Sequence, residues 1–129
     1  MRKQLTLAIV ALFVPLNALS AQWKLITGDD QNGIYVDTET VRIDGHFRKA
    51  WIKTVLSPPG SSNGKLVSHL LMRKAYDCAE SVQRAEAMIQ YYVDGTYASI
   101  PGDWSKSPWL PIAPDSLDAN ELHLFCSIS

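Results

Sequence analysis

The chain has 129 residues, of which 47% are hydrophobic and 19% charged, and twelve Lys and Arg nearly balance thirteen Asp and Glu, for a net charge of −1. This length fits one domain with a modest core. The charge is too mild to indicate a polyanion-binding protein by itself, and we predict no nucleic-acid partner.

The first 21 residues have the composition of a secretory signal peptide. The basic start MRKQ precedes the apolar run LTLAIVALFVPLNAL and the small residues of ALSAQW, which predict cleavage after Ser20 or Ala21. The apolar run is short for a membrane span and no second one follows, so we predict no spanning segment. No cysteine follows the run, which argues against a lipid anchor. We therefore expect an exported protein, periplasmic or at the cell surface or secreted, with a mature domain over residues 22–129.

In the mature sequence, apolar and polar residues alternate within short segments that are separated by turn formers. This pattern is typical of an antiparallel sheet. QWKLIT and IYVD are predicted strands, TETVRIDG is a brief turn, and GDDQNG is a turn without the ligand spacing of a calcium loop. HFRKAWIKTVLS and KLVSHLLMRKAY are long strands joined by the loop PPGSSNG, so residues 46–76 form an extended hairpin. Alternation places Phe47, Trp51 and Val55 on one face of its first strand and Ala50 on the other.

The segment AESVQRAEAMIQYYVDG is ambiguous, because its first half consists of helix formers and its end resembles a strand. Asp94 and Gly95 stand between two β-rich runs, which indicates a hairpin. We therefore predict a strand over residues 84–93, with the face of Ala85 and Ile89 buried.

The tail begins as a proline-rich loop that carries Trp104 and Trp109, which we expect to cover an edge of the core rather than to form a ligand platform. Asp115 or Ser116 can then cap a terminal helix. The predicted buried stripe of that helix is Leu117, Leu124, Phe125 and Ile128. The run LHLFCSI also alternates, as a strand would, but we choose the helix.

Export changes the interpretation of the two cysteines, Cys78 and Cys126, since a single disulfide is their simplest state in an oxidising compartment. A redox pair usually lies two residues apart and a zinc site needs four ligands, so both are disfavoured. The bridge would close a loop of about fifty residues, worth roughly 4 kcal/mol in the chain-entropy model.

The charge of the mature chain is unevenly distributed. Residues 45–76 carry six bases and no acid, whereas the chain from Asp77 onward carries eight acids and two bases. Such a run is most often a solvated face, but it is also a candidate binding surface. The candidate residues are Arg48, Lys49, Trp51, Lys53, Arg73 and Lys74. The ring of Trp51 stands between Lys49 and Lys53 and would contact a sugar or an extended acidic chain. Alternatively, Trp51 faces the core and the lysine stems extend along the edges of its ring.

We predict that the protein is not an enzyme and needs no cofactor or metal. His46, His69 and His123 are scattered along the chain. Ser68 and His69 are adjacent and would point to opposite faces of a strand. No glycines of a nucleophile elbow accompany a serine.

Several motifs together resemble the surface-adhesin protein E family over nearly the whole mature chain. They are Trp23, GIYVDTETV, Cys78 ahead of IQYYVDGTY, then WLPIAPDS and Cys126. The resemblance implies a small antiparallel sheet packed against a C-terminal helix, a cross-link like the one inferred above, and a capacity for homodimers. We therefore expect an α+β fold of about five or six strands, one helix and one disulfide, in one adhesin E-like domain.

The namesake of that family is a bacterial surface lipoprotein that binds host matrix and plasma proteins, whereas this chain has no lipidation cysteine after its apolar run. We expect an exported binding module that contacts host protein or an anionic surface polymer. The alternative is a soluble periplasmic accessory protein, such as an inhibitor or an immunity-type partner of one specific protein.

Overall fold

A computed structural model describes residues 21–128 of the chain. The predicted signal peptide lies outside the described residues, except for Ala21. None of the helices in the described part is both long and apolar enough to cross a membrane.

One antiparallel sheet of eight strands forms most of the domain. Six strands follow the order β1-β2-β4-β5-β6-β7, while β3 pairs with β4 and β8 pairs with β6. The strands are β1 (Trp23–Thr27), β2 (Ile34–Asp37), β3 (Arg42–Asp44), β4 (Phe47–Ser62), β5 (Lys65–Asp77), β6 (Val82–Tyr92), β7 (Tyr97–Ser99) and β8 (Leu110–Pro111). The count of five or six was too low, because β3 and β8 have three and two residues and are too short to show alternation.

The long hairpin of β4 and β5 is confirmed, but its loop is shorter than predicted. Strand β4 continues to Ser62, and only Asn63 and Gly64, both with positive φ, form the turn between the strands. The pairing shifts between Val55 and Gly60, so the two prolines lie in an irregular stretch where no ladder hydrogen bond is required of them.

The predicted strand over residues 84–93 is confirmed as β6, but its single buried face is wrong. Arg73 pairs with Ala87 and Lys74 pairs with Ala85, so Glu86 is an extra residue between two pairs. This bulge reverses the alternation and places Ala85 and Ala87 on opposite faces. Every residue of β6 is half-buried.

The C-terminal helix and its cross-link are also confirmed. Helix α1 spans Leu117–Cys126, and its cap is Ser116, whose hydroxyl accepts a hydrogen bond from the Ala119 amide at 3.1 Å. A disulfide joins Cys78 to Cys126. The predicted apolar stripe holds only in part: Phe125 is fully buried, Leu124 and Ile128 partly, and Leu117 is exposed.

The core lies between α1 and one face of the sheet. It is built from Val36, Ala50, Ile52, Tyr76 and Phe125, whose side chains are at most 2% exposed. The opposite face, which we call the open face, carries Phe47, Lys49, Trp51, Lys53 and Val55 of β4. Helix α1 packs on the other side of the sheet and does not cover the open face.

Candidate functional site

The structure divides the six candidate residues between the two faces of the sheet. Arg48 and Lys74 are buried on the helix face, whereas Lys49, Trp51, Lys53 and Arg73 lie on the open face. Arg48 donates hydrogen bonds to the carbonyl oxygens of Phe125 at 3.1 Å and Ile128 at 3.0 Å, at the end of α1. Lys74 donates hydrogen bonds to two carboxylates of the same helix. The prediction that Arg48 and Lys74 belong to the same surface as the other four residues is therefore corrected. Neighbouring residues on a strand point to opposite faces of the sheet.

A groove of about 510 Å³ crosses the open face at the end that carries β3 and the loop before β8. We call it the cationic groove and define it by four bases and two aromatic residues: Arg42, Lys49, Arg73, Arg84, Phe47 and Trp109. Asp44 is the acidic residue in its lining. Two of the sequence candidates, Lys49 and Arg73, are therefore part of a larger cluster of positive charge.

Strand pairing brings these bases together from distant parts of the sequence. Arg42 of β3 lies opposite Lys49 of β4, Lys49 lies opposite Ala75 of β5, and Ala75 lies opposite Arg84 of β6. Side chains that are directly paired share a face, so Arg42, Lys49 and Arg84 form a row across the sheet, with Ala75 between the last two. Arg73 lies beside this row on β5. Small Ala75 leaves space in the middle of that row.

Glu86, the bulged residue of β6, faces three of the bases. Its Oε1 atom lies 3.0 Å from Lys49 Nζ and 3.4 Å from an Arg84 nitrogen, and its Oε2 atom lies 3.4 Å from Arg73 Nε. Burial raises the pKa of the Glu86 carboxyl, but the hydrogen bond and charge of Lys49, with the charge of Arg73, outweigh burial and hold that pKa below its ordinary value. One carboxylate thus faces three cations, and the groove stays positive.

Trp109 forms an aromatic wall of the groove. Its ring lies 5.9 Å from the ring of Phe47, and the guanidinium of Arg84 lies over it at 4.8 Å from the ring centre. The side chain remains 37% exposed. Trp104, by contrast, donates a hydrogen bond to the Ile100 carbonyl at 3.3 Å and does not line the groove. Of the two tryptophans in this loop, only Trp109 is placed to touch a ligand in the groove.

The other open-face candidates lie beside the groove. Trp51 lines a smaller neighbouring depression, together with Lys49 and Arg73. Lys53 lies over the rings of Trp23 and Tyr35, at 4.8 and 5.0 Å from their centres. Burial lowers the pKa of Lys53. Lys53 is thus engaged with aromatic neighbours on β1 and β2.

Ser68 and His69 do not point apart as predicted, because the pairing of β5 with β6 shifts between Val67 and His69. The Ser68 hydroxyl lies 2.9 Å from His69 Nδ1. Among the described side chains no carboxylate is hydrogen-bonded to His69, and burial, followed by the charge of Lys53, lowers its pKa. The pair therefore lacks the acid of a catalytic triad.

Sequence reasoning missed Arg42, Arg84 and Glu86, and it expected Trp109 to cover an edge of the core, whereas Trp109 lines the groove. Arg42 and Arg84 lie outside the acid-free run of residues 45–76. They could have been identified only from the pairing of the short strand β3 and of β6 with the hairpin. The described part of the chain also contains no group of three or more His, Cys, Asp or Glu residues that could hold a metal ion.

Comparison with known proteins identifies the family. The profile of the surface-adhesin protein E family matches residues 23–127, and no curated protein shows significant similarity to the chain. Protein E of Haemophilus influenzae has a similar structure in its crystal form II, with a TM-score of 0.60 and 14% identity over 83% of this chain and 95% of that one. Protein E from non-typeable Haemophilus influenzae gives 0.58 and 15%, over 87% of this chain and 80% of that one. At such identity the likeness shows the fold, and the match to the profile over almost the whole described domain shows that the chain belongs to the surface-adhesin protein E family.

Proposed function

We propose that the protein is an exported bacterial binding module that contacts a host protein or an anionic surface polymer through the cationic groove. The observation that carries this proposal is the cluster of four bases on the open face, Arg42, Lys49, Arg73 and Arg84, which outnumber the two acids beside them, Asp44 in the lining and Glu86 at the bulge. A partly open groove of excess positive charge attracts acidic partners and orients them during encounter.

Family membership supports the adhesive part of the proposal. The profile that matches this chain describes a surface adhesin. The apolar N-terminal run supports export, and the lack of a cysteine directly after it supports a protein without a lipid anchor. External protease on intact cells tests display: cleavage indicates a surface protein, and protection until the outer membrane is opened indicates the periplasmic accessory protein instead.

Binding to heparin or to lipopolysaccharide tests the groove itself. The decisive variant is Arg42→Glu, because Arg42 is exposed and makes no ion pair with any residue of the described domain. The matched control is Lys24→Glu, an identical change of charge on the exposed part of β1. We expect Arg42→Glu to weaken binding about fivefold and Lys24→Glu to leave it within about twofold.

Salt dependence provides an independent criterion for the same proposal. Attraction to the groove should weaken steeply between roughly 0.05 and 0.5 M salt, because exposed charges are screened. Retention that changes neither with salt nor with Arg42→Glu would exclude the cationic groove as the binding site.

We further propose that the chain forms homodimers, as the family resemblance implies. Exposed apolar side chains support this proposal, because they could form the contact between two copies. They include Val93 at 57% and Tyr97 at 66% exposure. Sedimentation velocity tests this proposal when the protein concentration is varied about a hundredfold around the micromolar range, where a dimer of this kind would dissociate. A single monomeric species throughout would contradict it.

A further inference from the structure

We infer that Glu86 is an internal competitor in the cationic groove, and that its carboxylate occupies the position taken by a carboxylate of the partner, an acidic peptide segment with apolar neighbours. This inference rests on the proposed function and names the ligand chemistry of the same groove. Binding of the partner then exchanges one carboxylate for another at Lys49, Arg73 and Arg84.

The geometry of Glu86 supports the exchange. Its two oxygens divide the bases between them, with Lys49 and Arg84 on one oxygen and Arg73 on the other. The Glu86 side chain is only 14% exposed, whereas Lys49 and Arg73 are 39% and 41% exposed. A second carboxylate can therefore reach the bases from solvent and take over their contacts as Glu86 releases them.

The bulge explains why a carboxylate is present at this point. Glu86 is the residue left without a partner between the pairs Arg73–Ala87 and Lys74–Ala85. A bulge commonly redirects a side chain near a functional site, and its extra residue can change position without breaking a regular ladder pair. In a sheet without the bulge, position 86 would point to the helix face, as Ala85 does here.

The lining favours an acidic peptide over a sulfated polysaccharide. Beside the bases lie the aromatic rings of Phe47 and Trp109, and Trp109 is 37% exposed. A peptide that alternates acidic and apolar side chains matches both the charge and this apolar wall, whereas a sulfated sugar chain offers few apolar groups to it.

The experiment measures fluorescence anisotropy of a labelled peptide of alternating glutamate and leucine, with heparin octasaccharide as the second probe. The proteins are the mature wild type, Glu86→Gln, Glu86→Asp and Asp44→Asn. Asp44→Asn is the matched control, since it removes the same charge from the same groove and Asp44 makes no ion pair within the described domain. Glu86→Asp keeps the charge and shortens its reach, so an effect of net charge alone predicts no change in this variant.

We expect Glu86→Gln to bind the peptide about tenfold more tightly and Glu86→Asp about threefold more tightly, whereas Asp44→Asn should gain only about twofold, the effect of net charge alone. Circular dichroism establishes that each variant is folded, and Glu86→Asp provides the test should Glu86→Gln unfold. Equal gains in Glu86→Gln and Asp44→Asn, or no gain in Glu86→Asp, would overturn the inference while wild-type binding still supports the proposed function. A larger gain for heparin than for the peptide would overturn the ligand class. Absence of binding by all four proteins would overturn both the inference and the proposed function.

Discussion

Lys74 on β5 donates a hydrogen bond of 2.7 Å to Glu121 on α1, in the interior between the helix and the sheet. The side chain of Lys74 is 9% exposed and that of Glu121 is 3% exposed, and the Tyr76 hydroxyl donates to the same carboxylate oxygen. Asp118 accepts a second hydrogen bond from Lys74 at 3.0 Å. The helix is thus joined to the sheet by a buried ion pair as well as by apolar contacts and the disulfide.

Breaking this pair on one side should be costly. Lys74→Met leaves the Glu121 carboxylate buried without its cation, and we expect a loss of about 3–5 kcal/mol in the free energy of unfolding, measured with urea. The double variant Lys74→Met, Glu121→Met should recover most of that loss, because no buried charge remains unpaired. Exposed Lys24→Met is the control and should change the free energy by less than about 0.5 kcal/mol. Equal losses in the single and double variants would contradict this account of the pair.

The disulfide between Cys78 and Cys126 should act mainly on the unfolded chain. The bridged residues are 48 positions apart, so replacing both with alanine should lower the free energy of unfolding by about 4 kcal/mol. Urea unfolding of the variant and of the oxidised protein measures the difference. A non-reduced digest of exported material should yield the two linked peptides in a mass spectrum. Two free thiols in that material would contradict the prediction.

How far the fold follows from sequence depends on element length. The hairpin of β4 and β5 is long enough for alternation to be visible, and the cap at Ser116 marks the helix. Alternation also requires that neighbours such as Arg48 and Lys49 point apart, but only the position of α1 determines which of them is buried. The bulge at Glu86 has no local signal, because it arises from the pairing of β6 with β5. The groove depends on such pairings and could not be predicted from the sequence.

Acid should weaken the fold through the carboxyl groups that lie beside bases. Burial raises the pKa of Asp118, but hydrogen bonds from Gln83 and Lys74 and the charge of Lys74 outweigh it and lower that pKa, as Lys49 and Arg73 do for Glu86. A carboxyl with a depressed pKa in the folded state stabilises the protein above its unfolded-state pKa. This stabilisation is lost as the pH falls through the folded-state value.

The variant Glu86→Gln tests the contribution of the groove to this pH dependence. At neutral pH it should be less stable than the wild type by about 1 kcal/mol or less, because the site is partly exposed. The difference should shrink once the pH falls below the ordinary glutamate pKa of 4.5. Urea midpoints measured at several pH values determine both curves, with Asp44→Asn as the control. A difference that is constant with pH would show that the ionised carboxylate of Glu86 does not stabilise the fold.

Trp109 should contribute to binding more than Trp104, although both lie in the same loop. Trp109 packs against Phe47 and supports the guanidinium of Arg84, so in the proposed site it orients one of the bases and is placed to contact a ligand. Trp109→Ala should weaken binding of the glutamate–leucine peptide about tenfold, which is typical of an aromatic residue at the centre of an interface. Trp104→Ala, the matched control, should leave binding within about twofold once circular dichroism establishes that it is folded. Equal losses in the two variants would indicate that the loop acts only through its general packing, and unchanged binding by Trp109→Ala would place the ligand outside the cationic groove.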